Sequence, residues 1–521
     1  MRVCLFGIDG LTFRILEPYM ARGLLPNFQR VSQAGAHGIL QSTVPPMTPP
    51  AWMSISTGLA PASHGVYDFW DYTQETRGAL TRPVTHRRGG EAIWNMLSEW
   101  GKQVIIANVP LTYPPEPVNG MMISGYMTPD ITSHYPSPRR GAERLAVEFT
   151  YPAAFQQEVL ETIPGYQIDL SPAIGAGQTG DLFVETLRMT RNRVALQRLL
   201  LNKPWDFFYI VFTGADRIQH LRWDEIISFH PRAVEYYRLL DDALGLFLET
   251  LTPEDLLLIV SDHGFQGVHR LFYLQEFLCR QGLLAMNRTD RYRSALRDRI
   301  RATIWALGLR NMPTRVRGRL RRLGLLPVAR EALEVSRLDL DWEKTLAWIP
   351  SKSGAMAGYA DIFFDDALPE ERIQALIAAL EAIVDPETGQ PLVTAAYREE
   401  AFGAGAFAPR ERHLVILTGE DTTLLTDLGV KNLWGTWQRA SGIHHPDGVL
   451  YLYGAGVQRG AAISPARVYD IVPTILSFMQ LPVPSNLDGK FIAEAFTGDA
   501  LSVSKNGRAH TVSKRLNNLL S

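Results

Sequence analysis

The sequence predicts an α/β protein with a doubly wound, mostly parallel sheet and helices on both faces. Two observations carry that expectation. Short apolar runs of strand length alternate with longer helical patterns along the 521 residues, as buried parallel strands joined by crossover helices do. Polar residues able to bind metal recur just past the C-terminal ends of these runs, where ligands gather in such folds.

The first run, Val3 to Ile8, stops at Asp9 within Gly7-Ile8-Asp9-Gly10. Further runs span Val104 to Ala107, Phe207 to Phe212, Leu256 to Val260 and Val449 to Tyr453. Asp216 follows the third run, and Asp262-His263 follow the fourth. From Arg288 to Arg330, arginines interleave with leucine, isoleucine and valine, which reads as a basic helical cap over the core. A surface for anionic substrate, lipid head groups or nucleic acid is the sharper reading of that segment. Strand and helix patterning resumes after Thr345, with strands at Tyr359 to Phe364 and His413 to Leu417 around a helix near Glu371 to Ile383. The expected organisation is a core of 1–285 and 435–497, a cap at 286–344, a small α/β subdomain at 345–434 and a flexible polar tail at 498–521.

Composition narrows the function. Apolar residues make up 46% of the chain and charged residues 20%, too hydrophobic for intrinsic disorder. A net charge of -2 provides no global field toward nucleic acid or an anionic membrane. The two cysteines, Cys4 and Cys279, cannot build a thiolate metal site. No stretch approaches about 18 uninterrupted apolar residues, and the first residues lack the features of a signal peptide, so the expected location is the cytoplasm.

Chemistry is suggested by four segments. Asp216 and His220 are four residues apart, which on a helix puts both on one face within reach of one ion; the plain alternative is an exposed helical pair. Ser261-Asp262-His263-Gly264 ends a strand with a carboxylate, an imidazole and a glycine that permits a sharp turn. Asp9 is a third carboxylate, whose ordinary reading is a turn aspartate. Gly442-Ile443-His444-His445 places histidines just before another strand. Oxygen and nitrogen ligands of this mix suit zinc, or manganese, better than calcium. Two such ions, about 3.5 to 4 Å apart, clamp the attacking and leaving oxygens of a displacement at phosphorus. The hydroxyl to be activated lies in Pro45-Pro46-Met47-Thr48-Pro49-Pro50, where prolines restrict Thr48, or is Ser54, Ser56 or Thr57.

In this order the segments resemble the alkaline phosphatase superfamily, specifically its branch of type I phosphodiesterases and nucleotide pyrophosphatases. Gly7-Ile8-Asp9-Gly10 is similar to the family's first metal-ligand strand. Thr48 through Thr57-Gly58 to His64-Gly65 is similar to its nucleophile segment, and the Asp216/His220, Asp262-His263 and His444 motifs follow. The likeness covers most of residues 1 to 275 and 435 to 495. It implies an alkaline-phosphatase-like core holding two divalent ions, with zinc the first choice and manganese the alternative. It also implies that Asp216, His220 and His444 hold one ion, with His445 the alternative to His444. Asp9, Asp262, His263 and the oxygen of Thr48 would hold the other. The implied reaction hydrolyses a small-molecule phosphoester through a covalent phospho-threonine. A phosphomonoesterase or phosphotransferase on the same scaffold is the alternative, and a metal-binding protein without activity is the rival outside enzymes. One departure stands out: the family carries asparagine three residues after the threonine, and this chain has Ala51. His64, Asn27 and Arg217 are candidate replacements for that donor. His37, His86, His230 and His269 read as ordinary surface or core histidines. Specific nucleic-acid binding is not expected, and peripheral membrane contact would fall to residues 288–330.

Overall fold

A computed structural model describes residues 1–71, 82–83, 89–129, 147–170, 180–286, 340–349, 358–402, 405–407 and 412–497. The arginine-rich segment 288–330, the tail 498–521 and His86 lie outside the described residues.

The apolar runs become strands because their side chains are buried on both sides. Val3–Ile8, Phe207–Phe212 and Leu256–Val260 form as expected, and Val104–Val109 extends two residues past its expected end. They lie at the centre of a ten-stranded sheet. Val3–Ile8 is flanked in parallel by Leu256–Val260 and Phe207–Phe212, and Val104–Val109 lies parallel to Phe207–Phe212 and Gly120–Ser124. Asp447–Gly454 is antiparallel to Leu256–Val260 and Ala36–Gln41. The sheet is therefore mostly parallel in its middle, with antiparallel strands toward its edges.

Alternation along each strand splits the core in two. Cys4, Phe6, Phe208, Ile210, Leu257 and Ile259 face one cluster, packed with Phe13–Ala21, Pro26–Ala34, Leu182–Leu201 and Pro231–Thr250. Val3, Leu5, Phe207, Tyr209, Leu256 and Leu258 face the other, packed with Thr48–Thr57, Ile93–Glu99 and Ile471–Phe478. Helices thus cover both faces, and each fully buried aliphatic or aromatic side chain contributes about 1.5 to 3 kcal/mol.

A separate apolar cluster runs from Phe272 through Leu424 and Leu428. It joins Leu274–Arg280 and Glu370–Glu381 to a four-stranded antiparallel sheet containing Tyr359–Phe364, His413–Thr418 and Val393–Arg398. Gly264–Tyr273, paired with Trp434–His445, links this region to the large sheet. None of the described helices is long and apolar enough to cross a membrane.

Candidate metal centre

Three neighbouring parallel strands deliver the three aspartates. Ile8 is level with Phe212, and Gly7 with Val260, so the chains leave the sheet side by side, about 4.8 Å apart. Backbone bonds lock the exits together. The Asp9 amide donates to the Phe212 carbonyl at 3.0 Å, and the Asp216 amide to the Asp9 carbonyl at 3.2 Å. The Gly10 amide donates to Asp262 Oδ1 at 3.1 Å. Gly10 itself takes φ +72°, and a Cβ there would meet the Phe265 ring at 2.7 Å. Asp216 and His220 lie on the helix Gly214–Ile227, one turn apart as their spacing requires, with His220 Nε2 3.2 Å from Asp216 Oδ1.

His444 arrives from the far end of the sequence. It lies at the end of the strand Trp434–His445, paired opposite Phe265, and just ahead of the strand Asp447–Gly454, as expected. Backbone pairing persists through Gly442 and Ile443 until Pro446, which has no N–H to continue it. His444 Nε2 is 3.2 Å from Asp216 Oδ1 and 3.0 Å from His220 Nε2. His445 points away, 3.8 Å from both Glu420 and Asp447. Gly264 has a different reason from the one expected. It begins a strand, and a Cβ there would lie 2.0 Å from the Asp447 carbonyl oxygen, so close approach rather than a sharp turn demands glycine.

Thr48 opens the helix Thr48–Thr57, with Pro49 and Pro50 directly after it. Pro49 and Pro50 are tolerated because amides of the first helical turn have no partner within the helix. Thr48 Oγ1 lies 3.4 Å from His263 Nε2. Two competing hydroxyls are engaged elsewhere: Ser54 pairs with His64 at 3.0 Å and Thr57 donates to the Met53 carbonyl at 2.8 Å, while the Ser56 hydroxyl is buried without a hydrogen-bond partner.

The electrostatics of the cluster favour cations. Each of its three imidazoles has Nδ1 at a backbone carbonyl: His220 at Gly442, 3.1 Å; His263 at Gly264, 3.2 Å; His444 at Pro46, 3.0 Å. A carbonyl only accepts, so each Nδ1 carries the proton and each Nε2 of a neutral ring presents a lone pair. Burial lowers the pKa of His263 and His444, which favours that neutral form. Two lone pairs 3.0 Å apart repel unless a cation lies close to both, and metal-binding histidines are oriented in this way. Asp9 Oδ1 and Asp262 Oδ2 are buried without a hydrogen-bond partner, although His263 Nε2 is 3.6 and 3.2 Å away. Burial, then repulsion from Asp262 and Asp216, raises the pKa of Asp9 well above the carboxylate range. Burial raises that of Asp262 likewise. Burial also acts to raise Asp216, but His220, His444 and Arg217 outweigh it and hold its pKa well below that range. The ligand atoms of Asp216, His263 and His444 lie within 4.8 Å of one another, as do those of Asp9, Asp262 and His263. His263 belongs to both groups, its ring stacked 3.7 Å from that of His444.

All seven residues singled out from the sequence therefore converge. Of the three replacements considered for the missing asparagine, two are committed elsewhere. His64 is buried against Ser54 and the Val66 amide, and Asn27 is bonded to Asp241. Arg217 does border the cluster, donating to Asp216 Oδ2 at 2.9 Å. His37 packs near Tyr451, His230 caps a helix and His269 pairs with Asp421. Sequence reasoning missed Trp52, Phe265 and Asp169. Trp52 donates from Nε1 to Asp9 Oδ2 at 3.3 Å; it follows Thr48 by one helical turn, a legible spacing. Phe265 packs on all three imidazoles, two residues beyond His263 along the chain. Asp169 has no local signal.

The family model for type I phosphodiesterase / nucleotide pyrophosphatase matches residues 3–444. Comparison with curated proteins finds no match. Among solved structures, the chain resembles phosphonoacetate hydrolase from Sinorhizobium meliloti 1021 in complex with phosphonoacetate, at 15% identity and a TM-score of 0.52. The match covers 90% of this chain and 94% of that one. The same enzyme in complex with phosphonoformate matches equally. At that identity the likeness speaks for the fold.

Proposed function

The chain belongs to the type I phosphodiesterase and nucleotide pyrophosphatase family, a phosphoester-hydrolase branch of the alkaline phosphatase superfamily, and we propose that it works through Thr48 beside two divalent cations. The observation that carries this reading is the 3.0 Å approach of His220 Nε2 to His444 Nε2, with both Nδ1 atoms facing carbonyls. Asp216, His220 and His444 would hold one cation, and Asp9, Asp262, His263 and Thr48 Oγ1 the other, zinc being the best match to the donors and manganese the alternative. Such cations polarise phosphoryl oxygens and favour the alkoxide of a nearby hydroxyl.

Thr48 Oγ1, having given up its proton to solvent, would attack phosphorus, forming the new P–O bond as the ester oxygen leaves with the electron pair of the broken one and takes up a proton from solvent. Water hydrolyses the resulting phospho-threonine and regenerates the hydroxyl. Pro49 and Pro50 lack backbone N–H donors, and Ala51 offers no side-chain donor, so the start of this helix supplies little hydrogen bonding to a phosphoryl group. We read the preferred substrate as a small-molecule diester and the compartment as the cytoplasm, with which two free cysteines accord. A core of 1–285 and 435–497 and a subdomain at 345–434 belong to the same reading, with Leu274–Arg280 packed against the subdomain.

The test is elemental analysis of the purified protein, paired with turnover of bis-p-nitrophenyl phosphate and of the monoester. Two transition-metal equivalents and faster diester cleavage are expected. Faster monoester cleavage would instead favour a phosphomonoesterase, and absence of bound metal would remove the basis of the mechanism.

A further inference from the structure

Asp216 divides its two oxygens between different tasks. Oδ1 faces His220 and His444, each at 3.2 Å, while Oδ2 accepts from Arg217 Nη1 at 2.9 Å. Arg217 is itself held on its other edge, with Nη2 donating to Asp169 Oδ2 at 2.7 Å and Nε to Oδ1 at 3.4 Å. The Tyr126 ring lies against the guanidinium, 4.5 Å from its centroid, and the Leu170 amide fixes Asp169 Oδ1 at 2.7 Å. The side chains of Arg217 and Asp169 are 19% and 9% exposed, so water screens this chain of contacts only weakly.

The terminal torsion of an aspartate is soft, and nothing on the Asp216 side chain itself selects which oxygen turns toward the histidines. We propose that Arg217 and Asp169 form a brace that positions Asp216, a role that rests on the metal-binding reading given above. The planar fork of the guanidinium spans the two carboxylates, a geometry that a lysine ammonium does not reproduce. Asp169 has a second task. An uncompensated cation 2.9 Å from Asp216 would compete with the metal for its negative charge; the Asp169 carboxylate makes the brace neutral, so it orients the ligand without weakening it. Arg217 is thus a positioning residue, occupied on two sides, and not a replacement for the absent asparagine.

The experiment compares wild type with Arg217→Met, Arg217→Lys, Asp169→Asn and the Arg217→Met/Asp169→Asn double variant. Zinc affinity is read by competition with a chromophoric chelator, and melting of each metal-free protein reports its folding. The brace requires Arg217→Met to weaken one of two zinc equivalents by about 10- to 100-fold and leave the other within about twofold. Arg217→Lys should recover little of that loss. Asp169→Asn should weaken the same equivalent, and Arg217→Met should cost less in the Asp169→Asn background than in wild type, because the two residues act as a unit. If Arg217→Met fails to fold, Asp169→Asn decides: it keeps the side chain's size while removing its charge and one of its two acceptors, and unchanged zinc affinity in it would overturn the proposal. Two tight equivalents in wild type with both affinities unchanged in Arg217→Met would sink the brace alone. Wild type that binds no zinc would sink the metal reading and the brace with it.

Discussion

Thr48 and His64 show how single side chains are assigned opposite tasks within one segment. Thr48 is 4% exposed, lies at a helix start and has its oxygen beside His263. Thr48→Ala should reduce turnover by at least about a thousandfold, as loss of a nucleophile does, while bound metal stays near the wild-type amount. Near-normal activity in that variant, measured with metal content on the same sample, would refute the assignment. His64 is buried, and its Nδ1 accepts from the Val66 amide. Burial, opposed only by a bond to the Pro50 carbonyl, pushes its pKa down to about 3 from an ordinary 6.5. The unfolded chain therefore binds a proton below about pH 6.5 that the native state refuses. His64 thus costs the fold stability as pH falls from 6.5 toward 3, by a few kcal/mol at most. Urea midpoints across that range should decline more steeply for wild type than for His64→Asn; parallel declines would rule the effect out.

At the scale of elements, the site depends on backbones that pass unusually close. The start of Gly264–Tyr273 meets the Asp447 carbonyl where a Cβ would stand 2.0 Å from the oxygen. Neither chain can yield, because both continue into paired strands. Gly264→Ala should therefore destabilise by about 3 kcal/mol or more, at the upper end of overpacking costs, and displace His263. Equilibrium denaturation measures the first effect and zinc affinity the second; a variant as stable as wild type would show that this junction is pliable. The helix Thr48–Thr57 is held differently. Trp52, a buried residue of that helix, donates to Asp9, tying the proposed nucleophile's helix to the first strand's exit. Trp52→Phe keeps most of the packing but loses the donor, for an expected cost of about 1 kcal/mol and lower zinc affinity at the site of Asp9. Unchanged affinity would mean that the Asp9 carboxylate is oriented without the indole.

For the whole molecule, buried negative charge would couple stability to the proposed metal binding. Burial raises the pKa values of both Asp9 and Asp262, with repulsion from Asp262 and Asp216 adding at Asp9 and from Asp216 at Asp262, so without metal these groups hold their protons to higher pH. A group with a raised native pKa adds stability below its unfolded value and loses it as pH rises through the native one. Metal-free protein should accordingly weaken as pH climbs out of the ordinary carboxylate range. On the proposed reading, zinc would replace the protons, so binding should release them and tighten with pH; calorimetry in buffers of different ionisation enthalpy counts them. Chelation should lower the melting temperature and added zinc restore it, each site contributing about 2.7 kcal/mol at a hundredfold excess over Kd. Melting indifferent to chelator would contradict a cluster held together by cations.

The strands Val3–Ile8, Phe207–Phe212 and Leu256–Val260 were legible residue for residue, because a strand buried on both faces must be apolar throughout and end where polar residues begin. The motif residues were legible for the same reason: a carboxylate or imidazole directly after such a run has a strand end to sit on. Local pattern also placed Asp216 and His220 on one helical face. What the chain alone did not determine was adjacency. Only the tertiary structure sets Asp9 between Asp216 and Asp262 and brings Asp169 to Arg217 across 48 residues of sequence, whereas the family resemblance already prefers His444 to its neighbour His445. Those choices rest on sheet register and on which backbones pack together, and such pairings between distant segments leave no periodic trace in either segment.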